Sequence, residues 1–347
     1  MKALAVSALV LLCACSAAPV DAGPAPEADA GPVEAAVVAD AAPHVPACDA
    51  LSPRTVPLEV HVLPDEGEAP LAGELAKATR TIRVMVYEMG YGAVLDALKE
   101  RVGKGITVSV ILDVGQKSIN QKYFDQLTQA GAAVHWSDPR FPYMHAKTYV
   151  VDEAVAVIST GNYLVSNVLK ERNYVAIDRD ADDVATVVSL FDADFAGKEP
   201  DLTCTRLLVS PLNARDRLLA LIDSATKTLD IESMQFADTA VRTAVANRVA
   251  AGVTVRVILA DPGWIDTNTA AAAFLAATKV PAKYLTSPTI HVKAIVVDGA
   301  RAYVGSENVS YTSLSKNREI GLISDQVDMI ATMNKTFESD WAKGTSF

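Results

Sequence analysis

Two short stretches of this sequence carry residues able to do chemistry on a charged substrate. His145-Ala-Lys147 is followed after four residues by Asp152, and His291-Val-Lys293 after four residues by Asp298. Seven residues beyond each aspartate begins a small polar segment, Ser159-Thr160-Gly161-Asn162 and Gly305-Ser306-Glu307-Asn308. On a strand, alternate side chains share a face, so each histidine points the same way as its lysine. If the two pairs meet, two imidazoles and two ammonium groups surround one cavity, which suits a phosphodiester. The lysines, with Asn162 and Asn308, can hold the non-bridging oxygens, where charge builds in the transition state. One histidine can attack phosphorus to give a phosphohistidine. The other can protonate the leaving oxygen and then activate water. The lysines carry the charge a metal would otherwise neutralise, so no cofactor is expected.

The elements that must position these residues repeat. Gly105 to Leu112 matches Gly252 to Leu259, Val62-Leu63-Pro64 echoes Val209-Ser210-Pro211, and the motifs recur about 146 residues apart. A period that long means a duplicated domain rather than a solenoid. Each half reads as alternating strands and helices. Strands are expected over 82–87 and 229–233, along the Gly-(Ile/Val)-Thr-Val segments, and over 147–151 and 293–297. Helices are expected over 93–102 and 239–250, 120–130 and 267–277, and 182–195 and 326–341. That alternation implies an α/β fold with a mixed or mostly parallel sheet in each half and helices on both faces. A shared site at a pseudo-twofold axis is the natural place for chemistry.

The doubled pattern, in register across the folded region, resembles the phospholipase D superfamily. The resemblance implies two pseudo-symmetric α/β/α sandwich halves around one central active site, and the same two-step mechanism. It makes His145 the nucleophile and His291 the acid and base, with Lys147 and Lys293 as phosphate-holding partners. It makes Asp152 and Asp298 more structural than chemical. Thr160, Asn162, Ser306 and Asn308 become phosphate-binding residues, although Ser159 stands where the family has glycine and Thr160 where it has serine. Glu319 resembles the residue that orients a catalytic histidine through its ring nitrogen. Aligning Asn173 with Asn317 puts Val175 opposite Glu319, so the first half is expected to lack that carboxylate.

Other residues are weighed against plainer roles. Trp136 and Trp264 lie on segments expected near the mouth of the site, whereas Trp341 reads as core. Tyr143 and Met144 are expected in the pocket wall, with Tyr311 as a candidate lining residue. Lys170-Glu171-Arg172 reads as a solvated surface. His44, His61 and His135 have no partner pattern and receive no role.

The N-terminus reads as an export signal over 1–15, with Lys2 as its positive charge and an apolar stretch from Ala3 to Leu12. Leu12-Cys13-Ala14-Cys15 resembles a bacterial lipobox, which implies a lipid on Cys15 and, with Ser16 following, anchorage at the outer membrane. Residues 16–47, rich in Ala and Pro and without aromatic residues, read as a disordered tether. The halves are bounded at 48–203 and 204–347. Cys48 and Cys204 are expected to pair in an oxidising compartment.

Charge narrows the function classes. The chain has 42 acidic and 31 basic residues, a net charge of −11, and residues 57–347 hold 36 acidic and 29 basic. That balance disfavours nucleic-acid binding by bulk charge, and no apolar run is long enough for a polytopic membrane protein. The first expectation is a phospholipase D releasing phosphatidic acid from phospholipid at a membrane surface. The alternatives are a nuclease with a groove of Arg140, Lys170, Arg172, Lys316 and Arg318, a phosphatidyltransferase of cardiolipin-synthase type, and a non-catalytic binding module. No obligate protein partner is implied, and a monomer is expected.

Overall fold

The computed structural model describes residues 49–202 and 204–347. The expected export signal, the expected tether, the expected lipid attachment at Cys15 and the Cys48 half of the expected disulfide lie outside the described residues. Among the described residues no helix is long and apolar enough to cross a membrane.

The strands of the first half are β1 (Glu59–Leu63), β2 (Thr81–Val86), β3 (Thr107–Leu112), β4 (Ala133–Trp136), β5 (Lys147–Val151), β6 (Val155–Ser159) and β7 (Glu171–Asp178). They form one sheet in the order β1-β7-β6-β5-β2-β3-β4. The second half supplies β8 (Leu208–Ser210), β9 (Thr228–Ser233), β10 (Thr254–Leu259), β11 (Ala282–Tyr284), β12 (Thr289–Ile290), β13 (Lys293–Val297), β14 (Arg301–Gly305), β15 (Glu319–Ser324) and β16 (Thr345–Ser346). Its sheet runs β16-β11-β10-β9-β13-β14-β15-β8, while β12 crosses to pair with β7. Both sheets are mixed. β2 pairs parallel with β3 and antiparallel with β5, and β9 does the same with β10 and β13.

The strands read as continuous apolar runs because both faces are covered. In β5, Tyr149 and Val151 face an outer core of the first half, and Val150, with Ala146 just before the strand, faces a central core. In β13, Ile295 and Val297 face the outer core of the second half, and Ala294 and Val296 face the same central core. One helix from each half, Ala181–Phe195 and Val327–Lys343, adds apolar side chains to that shared centre. The remaining long helices cover the outer faces. The helices match the expected ones to within a few residues, that over 120–130 beginning earlier, at Lys117. Gly105 and Gly252, at φ +81° and +86°, lie two residues before the matched strands β3 and β10 in a left-handed conformation. The halves pack into one compact unit.

Candidate active site

The two halves meet through a reciprocal backbone exchange. The N–H groups of His145 and Ala146 donate to the carbonyl of Arg318 at 2.9 and 3.0 Å, and Arg318 N–H donates to Tyr143. Symmetrically, His291 N–H donates to the carbonyl of Arg172 at 3.2 Å, beside the β12–β7 pairing. Each motif histidine thus enters the site along the final long strand of the opposite half. Buried ion pairs lock this seam: Arg318 with Asp194 at 2.8 Å and Arg172 with Asp340 at 2.6 Å, each joining one half to the other.

Each imidazole is held at Nδ1 by the opposite half. His145 Nδ1 lies 2.8 Å from Glu319 Oε2. The other oxygen of Glu319 accepts from Asn317 Nδ2 at 3.0 Å and from the Ser313 hydroxyl. His291 Nδ1 lies 3.1 Å from Asn173 Oδ1 and 3.7 Å from Glu171 Oε2. These contacts leave Nε2 as the nitrogen each ring can offer to a substrate. Tyr87 packs edge-on to His145, and Trp264 lies 6.1 Å from His291, ring centre to ring centre.

The lysines sit beneath the histidines, fully buried. Lys147 Nζ donates to the carbonyl of His145 at 2.5 Å, and Lys293 Nζ to the carbonyls of His291 and Thr160 at 2.6 and 3.2 Å. Burial pushes the Lys147 ammonium down to about 8, against the pull of Glu319 and Glu88. It drives Lys293 well below the ordinary lysine value, helped by Lys147. Burial likewise lowers His145 to about 4, with Glu319 opposing, and lowers His291 well below the ordinary histidine value with the help of both lysines. Burial thus disfavours the charged form of all four groups in the empty site. An anion entering the site would favour their charged forms.

A cavity of about 1050 Å³ opens over both histidines. Asn162, Asn308, Glu88, Glu171, Gln235, Asp261, Tyr143 and Trp264 line it. Asn162 Nδ2 donates to Glu88 at 2.9 Å. Thr160 and Ser306 do not reach the wall: their hydroxyls accept from Tyr174 N–H and Ile320 N–H. The motif aspartates lie at the far end of the strands. Asp152 accepts from the N–H groups of Thr79, Arg80 and Thr81, and Asp298 from those of Thr226, Lys227 and Thr228. Burial is the largest single influence and raises both carboxyls, but these bonds together outweigh it and hold them down at about 2. They tie turns and touch no reacting group.

Several expectations change. Lys170-Glu171-Arg172 is not a solvated surface: Glu171 and Arg172 are buried, and only Lys170 is exposed. In the first half Asn173, not Val175, stands in the place of Glu319, so no carboxylate hydrogen-bonds His291 Nδ1, although Glu171 lies 3.7 Å from it. Met144 packs in the central core instead of the pocket wall. Trp136 stacks on Phe124, and Tyr311 points outward; neither lines the cavity. Tyr143 and Trp264 do line it, and Trp341 packs against the central core. Sequence reasoning missed Tyr87 and Glu88. Their signal was position: they follow β2 directly, as Met234 and Gln235 follow β9, and all four line the cavity.

Comparison with known proteins agrees with this fold. The family model described as "Cardiolipin synthase, PLD-like domain" matches residues 71–196 and again 218–341. A 68-residue stretch is 41% identical to the mouse (Mus musculus) 5'-3' exonuclease PLD4, covering 19% of this chain and 14% of that protein. A 118-residue stretch is 27% identical to the mitochondrial cardiolipin hydrolase of Chlamydomonas reinhardtii, covering 34% of this chain and 52% of the relative. The chain thus spans about half or less of these relatives' lengths. The fold matches the crystal structure of phosphatidylserine synthase from Haemophilus influenzae at TM-score 0.67 and 13% identity, over 87% of this chain and 88% of that one. With the family model matched twice and both motif pairs converging on one cavity, the chain belongs to the phospholipase D superfamily, with two PLD-like domains.

Proposed function

We propose that the protein is a phosphodiesterase that hydrolyses membrane phospholipid to phosphatidic acid and a free head group. His145 Nε2 attacks phosphorus, and the P–O bond to the head group breaks. His291 gives its Nε2 proton to the leaving oxygen. Water then attacks the phosphohistidine, passes a proton to His291, and returns the N–P electron pair to His145. Asn162 and Asn308 donate to the phosphoryl oxygens, and the buried lysines supply the field that favours developing negative charge.

The observation that carries the lipid reading is the fate of the basic side chains. A nucleic-acid strand needs free cations along its path. Arg172 and Arg318 are buried in ion pairs, and Arg140 is bound to Asp194 and Glu199. Lys170 is the one lysine or arginine on the cavity wall among the described residues, facing Glu88, Glu171 and Asp261 across the same space. Half-exposed Tyr143 and Trp264 offer apolar rings at the wall. The export signal and lipidated Cys15 would hold the enzyme at the bacterial envelope, beside such a substrate. A second reading, cleavage of nucleic-acid phosphodiesters, is favoured by the 68-residue match to an exonuclease.

The test assays the protein on phosphatidylcholine/phosphatidylglycerol vesicles and on single-stranded DNA in parallel, with chelator present and a His145→Ala control. Head-group release that vanishes in the control is expected. Strand cleavage without lipid turnover overturns the lipid reading in favour of the nuclease. Glycerol in the vesicle assay reads phosphatidyl transfer by its product.

A further inference from the structure

The strand registers put the two halves in correspondence. Leu63, before Pro64, pairs with Asn173, and Ser210, before Pro211, pairs with Glu319. Position 173 therefore answers to 319, and 171 to 317. The first half reads Glu171-Arg172-Asn173 and the second Asn317-Arg318-Glu319. The same two residue types stand in opposite order. In each half the inner position, 173 or 319, meets the histidine of the other half, and the outer position hydrogen-bonds the inner one: Asn317 to Glu319 at 3.0 Å, Asn173 to Glu171 at 3.5 Å.

We propose that this reversed order of Glu and Asn selects which histidine becomes the nucleophile, with Glu171, Asn173, Asn317 and Glu319 as positioning residues. The inference rests on the covalent mechanism above. His145 donates Nδ1–H to a carboxylate, which makes its Nε2 electron-rich and offsets the positive charge the ring gains when Nε2 bonds to phosphorus. His291 meets a carbonyl instead. Thr160 Oγ1 donates to Asn173 Oδ1 at 2.8 Å while Asn173 Nδ2 faces Glu171, so Oδ1 is the atom turned to the ring and His291 Nδ1 carries hydrogen. Lys293 Nζ, 3.3 Å from that nitrogen, opposes a second proton. A proton placed on Nε2 is therefore readily released. That suits an acid for the leaving oxygen and not a nucleophile.

The experiment maps phosphohistidine by mass spectrometry after alkaline quench of turnover on bis(p-nitrophenyl) phosphate, a diester that either reading of the substrate allows. The wild-type chain is expected to carry phosphate on His145. The variant Glu171→Asn, Asn173→Glu, Asn317→Glu, Glu319→Asn is expected to carry it on His291. Phosphate on His291 in the wild type, or still on His145 in the exchanged variant, overturns the assignment. Absence of phosphohistidine in an active wild type overturns the covalent mechanism itself and the assignment with it. Asn173→Asp keeps the test open if the exchanged variant does not fold. A carboxylate at His291 Nδ1 should move the basic limb of the kcat profile up by about one pH unit, and an unmoved limb counts against the proposal.

Discussion

The carboxylate of Glu319, on the second half, lies 2.8 Å from Nδ1 of His145, on the first. Burial opposes the charge on Glu319, yet His145, Lys147 and the Ser313 hydroxyl outweigh it and hold the carboxyl below its ordinary value. The pair is therefore an ionised acceptor beneath a neutral ring in the resting site. Glu319→Gln keeps the shape and removes the charge. It should lower kcat on a small diester by about 10²–10³-fold, in the range of a lost acid–base contribution, with the melting temperature of the variant checking that the fold persists. Activity within twofold of the wild type would remove Glu319 from the mechanism.

The motif aspartates call for the opposite pattern. Asp152 anchors three successive backbone N–H groups and the Thr79 hydroxyl, from a left-handed turn at φ +53°. Asp152→Ala should cost about 1–3 kcal/mol of stability through those lost bonds and leave the kcat of the folded enzyme within a few-fold. Denaturant unfolding alongside kcat separates the two effects. The sign with pH follows from the depressed carboxyl. An unfolded aspartate titrates near 3.9, so this contribution is present above that value and disappears as pH falls towards 2.

Anion binding should follow Lys147. Its ammonium titrates at about 8 in the empty site, so the free protein loses that charge as pH rises past 8. The affinity for inorganic phosphate should then weaken by up to about tenfold per pH unit above 8, read by calorimetry. Lys147→Met should bind more weakly at pH 7 and show a flatter dependence. An unchanged slope in that variant would assign the effect to another group.

Glu307 gives a stability prediction. It stands where the first half has Gly161, is fully buried, and accepts from the Tyr303 hydroxyl at 2.8 Å. Gly305 and Gly321 make the space, since a Cβ at either would collide with its carboxyl. Burial, with Glu319 nearby, raises it to about 8, whereas an unfolded glutamate titrates near 4.3. Between those values the folded state binds more protons, so stability falls as pH rises towards 8. Glu307→Gln should melt higher than the wild type at pH 8–9, by about 2–5 °C, with a smaller difference at pH 5. An equal difference at both pH values would argue against a protonated Glu307.

The doubled motif, the strand periodicity and the duplicated α/β architecture were legible because they are local: four-residue spacing, alternation and glycine-led strands recur in both halves. What escaped was set by contacts between halves. Matching Asn173 to Asn317 follows residue identity, but the pairing of β7 and β15 with their neighbours fixes a register two residues away. Lys170-Glu171-Arg172 looks solvated as a run of charges. Its burial depends on Asp340, 168 residues later, which neutralises Arg172. Thr160 and Ser306 sit at the right spacing for phosphate, yet adjacent strands claim their hydroxyls. Glu307 and the Gly305–Gly321 gap beneath it form a local pattern whose meaning appears only when β14 and β15 lie side by side.

The backbone exchange at the seam has a consequence for symmetry. Each histidine is held by the opposite half, so a single half contains no complete site, and two identical copies joined by a true twofold axis would give both rings the same neighbour. Unlike neighbours for the two rings require unlike polypeptide, which a symmetric homodimer cannot provide. Carrying both halves in one polypeptide is what allows the two rings to differ in chemistry while remaining alike in geometry.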